Sequence, residues 1–268
     1  MRNRLLCGLG AFLIGAGTSD AATFKPVQCE GTYKLHLQGI CTSEESIFWC
    51  FTSDLVKTDT EGKIQNRVQV PGHHGDLCYH DGKVYVAAFL RAADRAETEA
   101  ISWVYVYDAT DLRLITRYPV VEAIHRAGGI AYHDGRFIIV GGSPKDAEEN
   151  HVFEYDSNFA FIKRHVLKSG YTNLGIQTAT FADGHWWFGC YGKPGVLLKS
   201  DVEFHKVERF DFECSVGICA ISQRRFLVAR GGAVKDVGYT GRLFIAQADS
   251  RRGLVTSNAD LQSNDPLR

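Results

Sequence analysis

Four of the ten histidines stand in short polar segments that run directly into apolar stretches. His73, His74 and Asp76 share one segment, and His125 occupies another. Neutral imidazoles beside a carboxylate suit a divalent transition metal that keeps a position open for water, or they can act as general bases near neutral pH. His74, Asp76 and His125 are therefore the candidate metal ligands and the candidate catalytic residues, and His36 could converge from a third segment. The alternative is that these histidines only hydrogen-bond one another and water.

The same segments carry other polar side chains that could bind a ligand. The candidate ligand-binding set comprises His73, His74, Asp76, His125, Arg126, Asn173 and Gln38. Longer loops nearby in the repeat contribute cations, namely Arg91, Arg95, Lys145, Lys193, Arg230 and Lys235. A cationic rim of this kind favours an anionic small molecule, such as a carboxylated or phosphorylated sugar. Several acids interrupt the same loops, so ordinary solvated charges remain the alternative.

A recurring hairpin positions these segments. The stretch YHDGKVYVA begins at Tyr79, YHDGRFIIVG begins at Tyr132, and a looser copy, FADGHWWFG, begins at Phe181. Asp-Gly between alternating apolar runs is a strong signal for a tight β-hairpin. Two further copies bring the total to five, with turns near Glu45, Gly82, Gly135, Gly184 and Arg224. His80 and His133 then lie at hairpin tips, where we expect them to be solvated and to carry no chemistry.

Each hairpin is followed by further strand-like stretches. Third strands are predicted at residues 54–58, 103–107, 151–155, 195–198 and 241–246, and fourth strands at 67–70, 114–120, 161–167 and 206–212. Repeats of about 40 to 50 residues with four strands each predict an all-β fold, a five-bladed β-propeller with four antiparallel strands per blade. Small residues recur at one position of the first strand, as crowding at a central axis requires, namely Cys41, Cys78, Ala131, Thr180 and Ala220. A sandwich of similar hairpins is the alternative.

The predicted boundaries follow from the repeat. Residues 22–268 form one domain with blades at roughly 33–72, 73–124, 125–170, 171–213 and 214–258. The segment from Phe24 to Glu30 is expected to close the ring as an outer strand of the fifth blade, which would remove exposed edges.

At the level of fold, the arrangement resembles the five-bladed propellers of arabinanases and invertases. That resemblance implies acids on the inner strands of several blades, acting as acid, base or nucleophile in glycoside cleavage. The sequence departs from this pattern, because the positions equivalent to Asp76 hold Gly39, Gly129, Thr178 and Ile218. Glu213 and Asp54 are the remaining, poorly aligned acids, so no specific family is matched.

The first residues have the pattern of a secretory signal peptide. Arg2 and Arg4 precede an apolar run that is too short to span a membrane, and small residues follow near Ala21. Residues 1–21 are therefore predicted to be removed, which implies a secreted or periplasmic protein without a membrane span. The 27 glycines, 12% aromatic residues and single methionine favour β structure. A net charge of −1 gives no indication of a nucleic-acid partner.

The cysteines predict few disulfides. Seven remain after the predicted processing, and an odd number leaves at least one thiol unpaired within the chain. Cys29 is expected to pair with Cys214 or Cys219, which would fasten the closing strand by about 2 to 4 kcal/mol.

The combined prediction is an exported, monomeric propeller. Its partner is expected to be a small-molecule or glycan ligand at the axial mouth. Hydrolysis of that ligand, glycosidase-like or metal-assisted, is an open alternative, and so is a non-catalytic module that contacts proteins or glycans. If His74 and Asp76 face a common solvent-filled pocket with His125, changing either to Ala should abolish binding with little loss of stability.

Overall fold

The computed structural model describes residues 24–90 and 101–256, which contain strands and no helix. The predicted signal peptide, Arg91 and Arg95 lie outside these residues. Strands of the first half are β1 (Val27–Gln28), β2 (Gly39–Thr42), β3 (Ile47–Phe51), β4 (Asp54–Thr58), β5 (Ile64–Gln69), β6 (His73–His80), β7 (Lys83–Leu90), β8 (Ile101–Asp108), β9 (Leu114–Pro119), β10 (Ala127–His133) and β11 (Arg136–Gly141). Those of the second half are β12 (Asn150–Asp156), β13 (Phe161–Leu167), β14 (Asn173–Ala182), β15 (His185–Tyr191), β16 (Val196–Asp201), β17 (Val207–Asp211), β18 (Ile218–Ala220), β19 (Arg225–Val234), β20 (Gly238–Asp249) and β21 (Gly253–Thr256).

These strands form a five-bladed β-propeller, as predicted. Blades 1 to 4 are antiparallel four-stranded sheets in chain order, β2 to β5, β6 to β9, β10 to β13 and β14 to β17. Blade 5 contains β18, β19 and β20 with outer strands from both ends of the chain. Within the described ranges, the chain offers no helix of the length and hydropathy that a membrane span requires.

The Asp-Gly turns have the geometry that the sequence predicts. Asp81 and Gly82 have φ values of 48° and 69°, and Asp134 and Gly135 have 47° and 78°. Positive φ at both central positions is the property of the two-residue hairpin turn whose twist matches that of its strands. The flanking residues pair directly, His80 with Lys83 in blade 2.

His80 and His133 do more than flank a turn. The His80 ring stacks on Tyr132 of blade 3 with centroids 3.6 Å apart, and the His133 ring stacks on Phe181 of blade 4 at 3.5 Å. Both histidines are half-buried, so the expectation that they are simply solvated is wrong. The aromatic–histidine pair therefore links one blade to the next along this rim.

Apolar residues between the blades form the core. On β7, Val84 and Val86 pack in the layer shared with blade 1, while Tyr85 and Ala87 pack in the layer shared with blade 3. Alternate side chains of a strand point to opposite faces of its sheet. One apolar strand thus fills two layers, which is why the second strands are apolar almost throughout.

Two separate segments close the ring on β20. Val27 of β1 pairs with Leu243, and farther along β20 Ala246 pairs with Thr256 of β21. The N-terminal part continues through a hydrogen bond from the Cys29 N–H to the Gly241 carbonyl, 2.9 Å long. The predicted N-terminal closing strand is confirmed, and the C-terminal half of the outer strand is an addition that the sequence analysis did not include.

No disulfide fastens this closure in the described residues, so the predicted pairing of Cys29 with Cys214 or Cys219 is wrong. Cys29 is a buried free thiol whose sulfur lies 3.2 Å from the Tyr33 hydroxyl. Burial raises the pKa of this thiol to about 12. Backbone pairing and packing around Tyr33 replace the covalent link.

The five small residues predicted at the axis do lie together. Cys41, Cys78, Ala131, Thr180 and Ala220 all line one narrow cavity of about 180 Å³, to which the first strand of every blade contributes. Crowding at the axis therefore selects their size.

Tyr33 gives the first prediction, because it joins the closing segment to blade 1. Its ring stacks on Phe51 at 3.7 Å, the Arg67 guanidinium lies 4.6 Å above it, and its hydroxyl donates to the Glu30 carbonyl. Tyr33→Ala should lower the free energy of unfolding by about 3 to 5 kcal/mol, and Tyr33→Phe by about 1 kcal/mol. Urea denaturation measures both.

The matched control for Tyr33 is Phe161→Ala on the outer strand of blade 3, where the ring is 41% exposed. We expect Phe161→Ala to lower the free energy of unfolding much less than Tyr33→Ala does. Equal losses for the two alanine variants would contradict the importance of the closing segment.

Candidate functional site

The polar segments that enter the first strands lie at one end of the axis, and Asp76 fills its centre. Asp76 is fully buried, and its Oδ2 accepts a 2.9 Å hydrogen bond from the Ala179 N–H of blade 4. Gly39 of blade 1 lies on the opposite side of Asp76. A Cβ atom added to Gly39 would lie only 2.4 Å from the Asp76 Oδ1, so no larger residue fits there without displacement. The carboxyl group of blade 2 thus occupies the space between blades 1 and 4.

This position is electrostatically unusual for a carboxyl group. Burial raises the pKa of Asp76 well above its usual value, although the N–H groups of Ala179, Leu77 and Ile40 act in the opposite direction. The Oδ1 atom has no hydrogen-bond partner of normal geometry in the described part of the chain. Asp76 is consequently placed to hold the inner strands together, out of contact with solvent.

His74 is buried as well, but in a different layer. Its Nε2 lies 2.9 Å from the Tyr107 hydroxyl, and its ring packs against Tyr105 with centroids 4.7 Å apart. Burial lowers the pKa of His74 to about 3, so the imidazole is neutral near pH 7.

The expectation that His74, Asp76 and His125 face one solvent-filled pocket is wrong. The pairing of β6 with β7 shifts register between His74 and Leu77, which indicates a bulge at Gly75 and Asp76. A bulge breaks the two-residue alternation on which the expectation depended. The described residues also contain no group of three or more His, Cys, Asp or Glu side chains arranged to hold a metal ion.

Gln38 and His73 do come together, and His36 joins them. The Gln38 Nε2 lies 2.7 Å from the His36 Nε2 and 2.9 Å from the His73 Nε2. The His73 ring stacks on Phe89 at 4.5 Å, and the Arg126 guanidinium lies 5.2 Å from the same Phe89 ring. Gln38 is buried, whereas both histidines are half-buried at the mouth of the axis.

His125 and Asn173 stand apart from that group. Burial lowers the pKa of His125, and His151 of its own blade adds to the effect. Asn173 is exposed at the start of β14, where it pairs with Tyr191. The predicted ligand-binding set therefore divides into a buried pair, a mouth group and two separate residues.

A pocket of about 470 Å³ opens at the same end of the molecule, between blades 1, 4 and 5. We call it the mouth pocket. Its lining residues are His36, Leu37, Tyr191, Glu213, Ser215, Val216, Arg230, Gly231, Gly232, Ala233 and Tyr239. None of the seven predicted ligand-binding residues lines it, although His36 connects it to Gln38 and His73.

Glu213 and Arg230 are the charged residues of this lining. The Glu213 Oε1 accepts hydrogen bonds from the Ser215 N–H, 2.8 Å, and hydroxyl, 2.5 Å. The Arg230 guanidinium is exposed and lies 5.3 Å from the Phe244 ring. Tyr191 has a pKa raised by burial and, secondarily, by the charge of Glu213.

Of the lining residues, Glu213 was named from the sequence as a poorly aligned acid and Arg230 as a loop cation. Tyr191 and Tyr239 were not predicted. The strands of the β19–β20 hairpin are long, and this length could have predicted that Tyr239 reaches the mouth. In the structure, Tyr239 lies beside His36, with ring centroids 6.0 Å apart.

The burial of Asp76 generates the second prediction. Asp76→Ala would leave the Ala179 N–H without its acceptor and open a cavity at the axis. The free energy of unfolding should therefore fall by about 2 to 4 kcal/mol. Asp76→Asn keeps an acceptor oxygen and should lose less. Denaturant titration of the two variants measures the difference, and an Asp76→Ala protein as stable as the wild type would refute the structural role.

The third prediction concerns pH. The pKa of His74 is lowered from 6.5 to about 3 in the folded state. The contribution of the neutral imidazole to the free energy of unfolding is therefore complete above pH 6.5 and is lost as the pH falls toward 3. In that interval the unfolded chain binds a proton that the folded chain does not, which costs about 1.4 kcal/mol per pH unit.

His74→Gln should reduce the slope of unfolding free energy against pH by about this amount between pH 6 and 4. His205→Gln alters an exposed histidine and is the control. Identical slopes for wild type and His74→Gln in urea titrations would show that His74 is protonated in the folded protein.

Comparisons with known proteins support the fold alone. No protein-family model and no curated protein matches the sequence. Among solved structures, the chain is similar to Bacteroides ovatus xyloglucan PUL GH43B (TM-score 0.65, 12% identity, covering 87% of this chain and 56% of that one). It is also similar to a mutant of the GH43 protein BlXynB from Bacillus licheniformis (TM-score 0.64, 10% identity, covering 87% of this chain and 57% of that one). A third similar structure is xylan β-1,4-xylosidase from Bacillus halodurans C-125 (TM-score 0.60, 11% identity, covering 86% of this chain and 56% of that one). The chain spans little more than half the length of these three structures, and at such identities the shared property is the propeller.

Proposed function

We propose that this protein is exported and binds a small polar ligand, anionic or sugar-like, in the mouth pocket. The observation that carries the proposal is the lining itself, which combines one cation, one carboxylate, a histidine and two tyrosines in a concave space. Its volume of about 470 Å³ falls within the range of small-molecule sites.

Each group in the lining has a part in recognition. The exposed Arg230 guanidinium can pair with a carboxylate or phosphate of the ligand through two parallel hydrogen bonds. Glu213 and Ser215 can bind hydroxyl groups, and the rings of Tyr191 and Tyr239 offer apolar faces with polar tips. Gln38, His73 and Arg126 lie just beyond His36 and extend the proposed site across the mouth.

The structural neighbours support a sugar as the first ligand class to test. Their names include a xylosidase and a xyloglucan-associated GH43 protein, and they share the propeller with this chain. Hydrolysis by the usual glycosidase chemistry needs two carboxyl groups about 5 to 10 Å apart. Among the described residues that line the mouth pocket, Glu213 is the single acid, which favours binding over cleavage as the activity of this pocket.

One observation favours the alternative of a module that contacts proteins or glycans. Apolar side chains are exposed in loops around the mouth, with 63% exposure for Val121, 59% for Ile124, 63% for Leu174 and 60% for Val237. Exposed apolar residues that cluster on one face can mark an interaction surface. This reading predicts that substitutions at these four positions, and not in the mouth pocket, weaken partner binding.

The fourth prediction tests the proposed function. A thermal-shift screen of uronic acids, sugar phosphates and neutral xylo- and arabino-oligosaccharides should give stabilising ligands, because binding to the folded state raises its stability. For an anionic hit, Arg230→Ala should weaken binding by roughly tenfold or more, as loss of a charge-assisted contact implies. Titration calorimetry measures the dissociation constants.

Arg164→Ala removes an exposed arginine from the outer strand of blade 3 and serves as the control. It should leave the affinity unchanged. Ligands that bind Arg230→Ala and Tyr239→Ala as tightly as wild type would place the binding site elsewhere, and incubation of each hit followed by product analysis separates binding from hydrolysis.

A further inference from the structure

Two imidazole nitrogens and one amide meet at the mouth of the axis. The Gln38 Nε2 lies 2.7 Å from the His36 Nε2, 2.9 Å from the His73 Nε2 and 3.2 Å from the Thr52 hydroxyl oxygen. The Thr52 hydroxyl donates its own proton to the His36 carbonyl, 3.0 Å away. Both imidazoles therefore direct their Nε2 atoms at the same point.

The Gln38 amide nitrogen occupies the point at which the two imidazole nitrogens converge. Its two hydrogens can serve both nitrogens as acceptors. An ion that accepts lone pairs would fit the same point, because both imidazoles could coordinate it at once.

The movement needed is small. Transition-metal bonds to imidazole are about 2.0 to 2.1 Å long, so each ring would shift by less than about 1 Å from its present 2.7 or 2.9 Å contact. Rotation of the Gln38 side chain would supply its Oε1 as a third ligand. Phe89, stacked on His73, and Tyr239, edge-on to His36, hold the two rings in orientation.

We propose that His36, His73 and Gln38 form a binding site for a late first-row divalent metal, with Zn²⁺, Co²⁺ and Ni²⁺ as the ions that imidazole ligands suit. The site differs from the combination of His74, Asp76 and His125 that the sequence suggested. The site adjoins the mouth pocket, because His36 also lines that pocket. A metal there would supply a Lewis acid beside any ligand in that pocket, and its binding is measurable without knowledge of that ligand.

The test uses untagged protein freed of metal with a chelator. Titration calorimetry with Zn²⁺ and absorption titration with Co²⁺ should show one ion per chain for the wild type. His36→Ala and His73→Ala should each weaken binding by roughly tenfold or more, since even partners of metal ligands contribute about that much. Gln38→Glu supplies an anionic oxygen and should tighten binding, and it remains informative if either alanine variant fails to fold.

His205→Ala is the control, because this exposed histidine lies on blade 4 away from the mouth group. Its affinity should equal that of the wild type. The proposal is overturned if one-to-one binding is absent, if His36→Ala and His205→Ala bind equally well, or if the Co²⁺ spectrum shows thiolate charge transfer. Thiolate ligation would assign the metal to cysteines such as Cys41, Cys78 and Cys219, which line the axial cavity.

Discussion

Crowding at the propeller axis is the constraint on which the rest of this structure depends. Five first strands converge there, and their backbones approach so closely that an added Cβ at Gly75 would lie 2.3 Å from the Gly128 carbonyl oxygen of the next blade. Interiors packed to this density admit no extra atoms without displacement. The buried Asp76 carboxyl at the centre accepts a hydrogen bond from the Ala179 N–H of blade 4. This candidate catalytic residue thus links blades 2 and 4 at the axis.

Among the described residues, the mouth pocket of about 470 Å³ offers more space than the cavity of about 180 Å³ on the axis. In blade 5 the second and third strands extend through Val234 and Gly238 as a long hairpin. This extension brings Arg230 and Tyr239 to the side of His36 and forms the mouth pocket between blades 1, 4 and 5.

Burial distinguishes His74 from His36 and His73. His74 is enclosed by Tyr105 and Tyr107, and burial lowers its pKa to about 3, so its imidazole is neutral near pH 7. His36 and His73 are half-buried and direct their Nε2 atoms at a shared partner beside open space. All three histidines belong to similar polar segments of the sequence. Their surroundings, and not their residue type, decide whether each supports the fold or is available for binding.

The sequence by itself determined the hairpins, their number and the closure of the ring. Asp-Gly turns, two-residue alternation and small residues at the axis are local requirements that each blade must satisfy within its own stretch of chain. The bulge at Gly75 and Asp76, the split outer strand on β20 and the mouth pocket were decided only by the tertiary structure. Each of these features depends on contacts between residues of different blades, such as Asp76 with Ala179 or His36 with Tyr239. No local pattern encodes such contacts, since they exist only when the strands have been brought to their places around the axis.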